Sequence, residues 1–482
     1  DNKGVFTLDE VNDIEVITVD QPGYGAMSVQ INPRKDPKSM PSPDKDTVRI
    51  VLPFTSKKLD EVACIAIRLP SEATNHTKIE KEGLNAKNMG QDIPFLLDQM
   101  PSVVTTSDAG NGIGYSGIRV RGIDASRLNV TINGIPVNDP ESHDVYWVNM
   151  PDLVSSTQSI DFQRGVSAST NGAAAFGASL NLKTNDIVDQ ASAKLDASYG
   201  SFNSFKTSIQ ANTGLIKGKY FVETRLSRIG SDGYIDRATS NLRSWYLSAG
   251  WVGKQTVLKG LAFSGKEITY QAWNGVDSAT MATNRTDNSA GAIYDANWNV
   301  IDYYDNEVDN YGQDHYQLHL NQILNERFKL NVSLHYTKGS GYYEQYKQDA
   351  FMPAYGINPV INGTDTISTT DLVRQKWLDN DFYGAIFNLE YSNSFMTSIL
   401  GGGINQYDGD HFGEVIWARY SNNLDIRDRY YENNATKTDG NIYSKTNIQV
   451  SKKVNTFLMY STFLNEIPID CILSLSRSRI SL

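Results

Sequence analysis

Three groups of residues could do chemistry by their types alone. Ser142, His143 and Asp144 are a nucleophile, a base and an acid side by side. A catalytic triad needs convergence in space, not contiguity, so adjacency argues against catalysis. The surrounding segment 138–150 (NDPESHDVYWVNM) is better taken as a polar-aromatic loop. In it Tyr146 and Trp147 could stack on a ligand, and His143 and Asp144 could hydrogen-bond to it. The plainer alternative packs Tyr146 and Trp147 into a core. His315 and His319 are four apart, the spacing of a metal pair on a helix. On a strand they share a face but lie about 13 Å apart at ~3.3 Å per residue, too far to hold one ion. Gly112, Gly114 and Gly117 spell G-x-G-x-x-G. That pattern cradles a dinucleotide only between a strand and a helix, and here a strand (GIRVRGI) follows it, so the glycines shape a loop. No metal site, cofactor or catalytic residue is expected.

The elements that position these residues are mostly strands. Residues 1–58 carry short β-rich runs separated by Pro, Gly and Asp. Residues 69–90 are polar and look like a linker leading to a short helix, and Asp92 to Met100 (DIPFLLDQM) fits one amphipathic helix with Pro94 in its first turn. From Val103 to Thr184 glycines and short strands alternate (GIRVRGI, RLNVTINGIPV, QSIDFQRGV, ASLNLKT), which predicts a compact α+β unit. From about Ala191 period-2 segments recur. In 315–321 Tyr316, Leu318 and Leu320 alternate with polar residues. In 328–337 Phe328, Leu330, Val332, Leu334 and Tyr336 do the same, and a short turn joins the two runs. Similar alternation runs through Phe205–Ala211, Tyr220–Leu226 and Trp245–Trp251, with weaker copies near 382–391, 396–406, 441–450 and 455–463. Each clear run is long enough to cross a bilayer as a tilted strand of ~9–11 residues. Long polar connections, about 266–311 and 339–376, contrast with short turns, the asymmetry of outer-membrane barrels. A soluble β-sandwich also alternates, but its strands are shorter and its outer face polar.

Composition agrees. Tyr leads the aromatics (26 Tyr, 17 Phe, 7 Trp), as suits a membrane interface or a stacking surface. There is no run of about 18 apolar residues, so no spanning helix is expected. A net charge of -11 without a basic patch argues against nucleic acid. Cys64 and Cys471 are too few and too far apart to suggest a disulfide framework.

Segment 90–184 resembles the plug domain of TonB-dependent receptors. Arg121-Gly122 matches the family's Ile/Val-Arg-Gly motif. Asn133-Gly134-Ile135-Pro136 matches its Asp-Gly-Val-Pro turn. Arg164-Gly165 opens its Arg-Gly-Pro motif, and Asn171, Gly172 and Gly177 occupy its glycine-rich stretch. Val166 for Pro and Asn171 for Tyr are departures common in Bacteroidetes-type members. Leu59, Asp60, Glu61, Val62, Ala63, Cys64 and Ile65, within LDEVACIAIR, resemble the stretch that contains or adjoins the TonB box. Such a segment adds to TonB as a strand, through main-chain hydrogen bonds. Residues 1–58 are similar to the latter part of a carboxypeptidase-regulatory-like β-domain.

The resemblance implies a mainly β chain in the cell outer membrane. Its expected order is a 1–58 β-domain remnant, 59–89 TonB-box-like segment and linker, 90–184 plug, 185–464 partial antiparallel barrel, and 465–482 atypical tail. The implied activity is TonB-dependent import of a scarce ligand. The expected partners are the TonB complex, outer-membrane lipid and a small molecule, best taken as an iron chelate such as a siderophore or haem. The alternatives are cobalamin, an oligosaccharide, or a non-transporting surface-binding β-protein. The apical loops of such plugs face the extracellular vestibule, which makes Asp108, Asn111, Tyr115, His143, Asp144, Tyr146 and Trp147 the ligand-facing candidates. Arg121 and Arg164 are expected to reach acids on the barrel wall, with Glu223 one lumen-facing candidate. About 295 residues follow the plug, enough for about 10–12 of roughly 22 strands. A truncated or frameshifted product is therefore expected.

Overall fold

A computed structural model describes residues 16–19, 27–30, 75–165, 177–451 and 454–466. The TonB-box-like residues 59–65, both cysteines, Asn171, Gly172 and the tail from 467 lie outside the described residues. The chain divides into two units, 1–61 and 62–482. In the first, β1 (Val16–Val19) and β2 (Met27–Gln30) pair antiparallel.

The second unit opens with the predicted α+β domain. Its elements are β3 (Asn75–Glu80), α1 (Lys81–Lys87), α2 (Ile93–Leu96), β4 (Val103–Ser107), β5 (Ser116–Val120), β6 (Leu128–Ile132), β7 (Ile135–Pro136), β8 (Thr157–Arg164) and β9 (Ala178–Thr184). The five-stranded sheet runs β3-β8-β9-β6-β7, with β6 and β9 parallel, and β4-β5 form a separate hairpin. Asn133 and Gly134 both take positive φ, as the two-residue turn between β6 and β7 requires. Leu128, Val130, Ile132, Ile160, Phe162, Leu180 and Leu182 build the core under α1 and α2.

Two expectations for this domain are corrected. The polar stretch read as linker folds from Asn75 onward. β3 pairs with β8 over Asn75–Glu80, and α1 buries Leu84 against the sheet. An edge strand needs backbone pairing more than apolar side chains, so periodicity did not reveal it. The helix expected over 92–100 is one turn, Ile93–Leu96. Pro101 disfavours α backbone at Met100, and the chain leaves the helix through a turn.

The remaining strands are β10 (Ser192–Tyr199), β11 (Phe205–Asn212), β12 (Tyr220–Ser231), β13 (Ser240–Val252), β14 (Thr256–Tyr270), β15 (Ala292–Tyr294), β16 (Val300–Tyr303), β17 (Val308–Ile323), β18 (Phe328–Phe351), β19 (Val360–Asn362), β20 (Asp365–Ile367), β21 (Thr369–Ser392), β22 (Met396–Ala418), β23 (Arg429–Ser451) and β24 (Val454–Glu466). Eleven of them form one antiparallel sheet in sequence order, β10 to β24. The pairs β15-β16 and β19-β20 are small hairpins within loops. The count falls within the expected range, and the sheet is open rather than closed on itself.

The alternation is borne out. Tyr316, Leu318, Leu334 and Tyr336 face outward and exposed, while His319 and Ser333 are fully buried on the inner face. The predicted pair is in register, with Leu318 opposite Leu334. Turns at one end are short (253–255, 324–327, 393–395), whereas those at the other reach 271–307 and 352–368. The connection expected over 339–376 is mostly strand. β18 and β21 run on as a paired ladder from Gly339 to Phe351 and from Thr369 to Asn380. Alternation belongs to the side chains and pairing to the backbone, so the ladder runs on where the alternation fades. No helix among the described residues is long and apolar enough to cross a membrane, which says nothing of the strands.

Candidate functional site

The sheet wraps the α+β domain, which touches it from β10 to β23. The firmest contact is a buried charge cluster. Asp152, held at positive φ, meets Lys206 Nζ at 2.5 Å and Arg225 Nη1 at 3.5 Å, and all three side chains are at most 4% exposed. Asn88, Ser155 and Ser227 donate to the same carboxylate. Burial opposes its ionisation, but Arg225 and Lys206 outweigh burial and hold it down at about 2. Further along, Asn185 donates to Glu223 at 2.5 Å, and Lys259 Nζ donates to the Asn185 carbonyl at 3.0 Å. Asn133 Nδ2 reaches Gln317 Oε1 at 3.2 Å. A Cβ at Gly265 would overlap the Asn149 carbonyl oxygen, so this glycine lets the domain seat against β14.

Above these contacts, toward the long loops, lies a cavity of about 750 Å³. One side is the α+β domain, through Asp108, Tyr115, Asp139, Glu141, Tyr146 and Asn149. The other is the sheet, through Trp273, Asp309, Tyr311, Tyr343, Lys376, Trp377, His411 and Tyr431. Aromatic rings line it in contact with one another. Tyr115 lies edge-on to Tyr146 at 6.4 Å and to Trp273 at 5.8 Å, and Trp273 lies edge-on to Tyr343 at 5.6 Å. The Tyr115 hydroxyl donates to Asp309 Oδ2 at 2.5 Å and to Glu267 Oε1 at 3.3 Å. Burial, with those two carboxylates, pushes the Tyr115 phenol well up. Burial alone lifts Asp108 to about 6. Glu141 Oε2 accepts from the Tyr407 hydroxyl at 2.7 Å and lies 2.8 Å from His411 Nε2. Its burial is outweighed by these partners, which keep it below its usual value. The loop 138–144 is thus tied to β22.

Of the ligand-facing residues expected from sequence, Asp108, Tyr115 and Tyr146 line this cavity. Trp147 does not: it is 3% exposed and packs in the domain core, because the 3-10 turn at 147–149 points its ring inward. Asn111 donates to Ser231 Oγ at 2.7 Å on the wall. His143 and Asp144 border smaller neighbouring clefts. Arg121 and Arg164 are also corrected. Arg121-Gly122 is a turn with two positive φ values, and the Arg121 guanidinium lies over the backbone of Gly165. Arg164 donates to the Pro101 carbonyl at 3.3 Å and Thr77 Oγ1 at 3.5 Å. The two arginine-glycine motifs meet inside the domain, and the ionic tie to the wall runs the other way, from Asp152 to wall cations. Glu223 does face the domain, through Asn185. His315 stacks on Phe263 at 4.3 Å, and His319 Nδ1 lies 2.7 Å from Ser333 Oγ. No metal-binding group occurs among the described residues. The sheet's half of the cavity escaped the sequence. Its one signal was the clustering of Tyr in 341–346 and 430–431.

Residues 70–179 match the TonB-dependent Receptor Plug Domain family. No curated protein matches the chain. Among solved structures the fold is similar to that of the copper transporter OprC (TM-score 0.59, 11% identity, 80% of this chain and 55% of that one). It is also similar to the ferripyoverdine receptor of the outer membrane of Pseudomonas aeruginosa (TM-score 0.57, 11% identity, 83% and 53%). A third is the ferric-catecholate import receptor Fiu from E. coli K12 (TM-score 0.54, 15% identity, 81% and 60%). The chain spans little more than half the length of these structures. Plug motifs that fold as a plug give this chain a plug domain of the TonB-dependent receptor family over residues 70–179, seated against strands whose fold is similar to that of solved receptor structures.

Proposed function

We propose that the chain belongs to an importer that captures a scarce small ligand between the plug apex and the barrel wall and passes it inward when TonB displaces the plug. The observation that carries this is the cavity of about 750 Å³ whose walls come half from the plug and half from the barrel. Its size suits one chelate- or drug-sized ligand. A ligand there touches both the gate and the frame, so its binding can be sensed by the part that moves. An iron chelate is the ligand class we favour, since several structural neighbours bear the names of ferric-siderophore receptors. The aromatic lining equally suits the face of a sugar, which keeps an oligosaccharide as the second reading.

The test is uptake of radio-iron chelates and of labelled oligosaccharides by cells, with and without TonB. TonB-dependent uptake of a chelate is expected, and Tyr146→Ala with Trp273→Ala should weaken binding by about tenfold, the loss of roughly one aromatic contact. Uptake unaffected by loss of TonB would overturn the import reading.

A further inference from the structure

The charges of the cavity wall specify more than its shape does. Four carboxylates line it, Asp108 and Asp139 and Glu141 from the plug and Asp309 from β17, against the single lysine Lys376. Three of the four already hold neutral or histidine donors. Asp309 takes the Tyr115 hydroxyl, Asp139 takes Ser142, and Glu141 takes Tyr407 and His411. Asp108 has no side-chain hydrogen bond or ion pair among the described residues. Lys376 is turned toward ring faces, its Nζ 5.8 Å from the Tyr343 centroid and 5.7 Å from that of Tyr431. A cavity of this size is on the order of 10 Å across, about one Debye length at physiological salt, so any ligand inside it feels all these charges together. Asn149, 6% exposed, also lines the cavity, and its Oδ1 has no protein partner. Buried acceptors of this kind stay costly until a donor arrives.

We propose that the cavity selects a ligand whose contacting surface is neutral or cationic and rich in hydrogen-bond donors, and rejects polyanionic chelates. The proposal rests on the import reading above. It follows because a polyanion would bring its charges against four carboxylates, with Lys376 and the Glu141-bound His411 to offset them. An ammonium or hydroxyl group instead meets open acceptors at Asp108 and Asn149, with aromatic faces at Tyr146, Trp273 and Trp377 to cover its apolar parts. An amine-bearing ferric hydroxamate and a neutral oligosaccharide both present such a surface, and the test separates them.

The experiment is tryptophan-fluorescence titration of the protein purified from outer membranes in detergent. Four probes are used: a singly cationic ferric trihydroxamate with a free amine, its N-acetylated neutral form, a triply anionic ferric tricatecholate and a neutral oligosaccharide. The cationic chelate is expected to bind at least about tenfold tighter than the tricatecholate, a single well-placed charge sufficing for that ratio. In Asp108→Asn, Asp139→Asn and Asp309→Asn combined, the ratio should fall toward one. The wild-type series alone decides the matter if that variant does not fold. A tricatecholate that binds as tightly as the cation overturns the proposal. Binding of the oligosaccharide alone removes the iron reading and supports the charge selection. No binding by any probe overturns the cavity as the ligand site, and the proposal with it.

Discussion

At the residue scale the chain's most consequential side chain is Asp152. It is an acid on the plug surrounded by two wall cations, and its position at positive φ shows that the backbone bends to present it. Asp152→Asn would leave Lys206 and Arg225 buried without their counter-charge, a loss on the order of 3–5 kcal/mol. A fall in the urea midpoint checks it. The pH dependence has a definite sign. The folded carboxyl sits at about 2, below its ordinary value of 3.8. Its contribution is therefore present above 3.8 and is lost as pH falls toward 2. The loss amounts to about 2 kcal/mol for a shift of this size. Acid titration of stability should be steeper in that window for the wild type than for Asp152→Asn. Equal slopes would show that the cluster is not ionised as described.

At the scale of elements, the strands do two jobs with alternate residues. Leu318 points outward and is exposed, while its neighbours Gln317 and His319 are buried on the inner face, where Gln317 meets Asn133 of the plug. A charge on the lipid side has no water to return to. Leu318→Arg is expected to destabilise the folded protein in liposomes by about 2–4 kcal/mol, whereas Leu318→Ile should be close to neutral. Reversible urea unfolding in lipid measures both. An arginine tolerated at that position would mean that this face is not in the bilayer. The same division of labour explains the extended ends of β18 and β21. Beyond the apolar band they keep pairing and carry Tyr342, Tyr343, Lys376 and Trp377 up to the cavity.

At the scale of the whole molecule, the plug is pinned to the wall by contacts of unequal strength. The Asp152 cluster is a buried ion-pair network, whereas the apical loop around Asn111 is held by neutral donors, Asn111 to Ser231 and Tyr115 to Asp309 and Glu267. If import needs this loop to leave the wall, pinning it should separate capture from passage. In Asn111→Cys with Ser231→Cys, a short reducible bis-thiol linker should leave ligand binding intact and abolish uptake, and reduction should restore uptake. Uptake that survives linking would show that the loop need not move.

What the sequence determined by itself is set by local rules. A period of two can only be a strand with unlike faces, so the sheet, its register near 315–337 and the outward-facing residues were legible. Asn133-Gly134 and Arg121-Gly122 need positive φ, so the plug turns were legible as well. Tyr115, Asp108 and Tyr146 were within reach because the resemblance makes their loops the plug's apical loops. What only the tertiary structure decided depends on which distant segments meet. Nothing near Asp152 in the chain announces Lys206 or Arg225, and nothing near Tyr115 announces Trp273 or Asp309. Arg121 and Arg164 carry the family's motifs, yet packing turns Arg121 toward the Gly165 backbone and Arg164 toward Pro101 and Thr77 instead of the wall. Trp147 could stack on a ligand or fill a core with the same side chain, and only the inward 3-10 turn chose the core. The alternation that identifies a strand does not say what its inner face will touch, because lumen polarity is the same whether it meets water, plug or ligand.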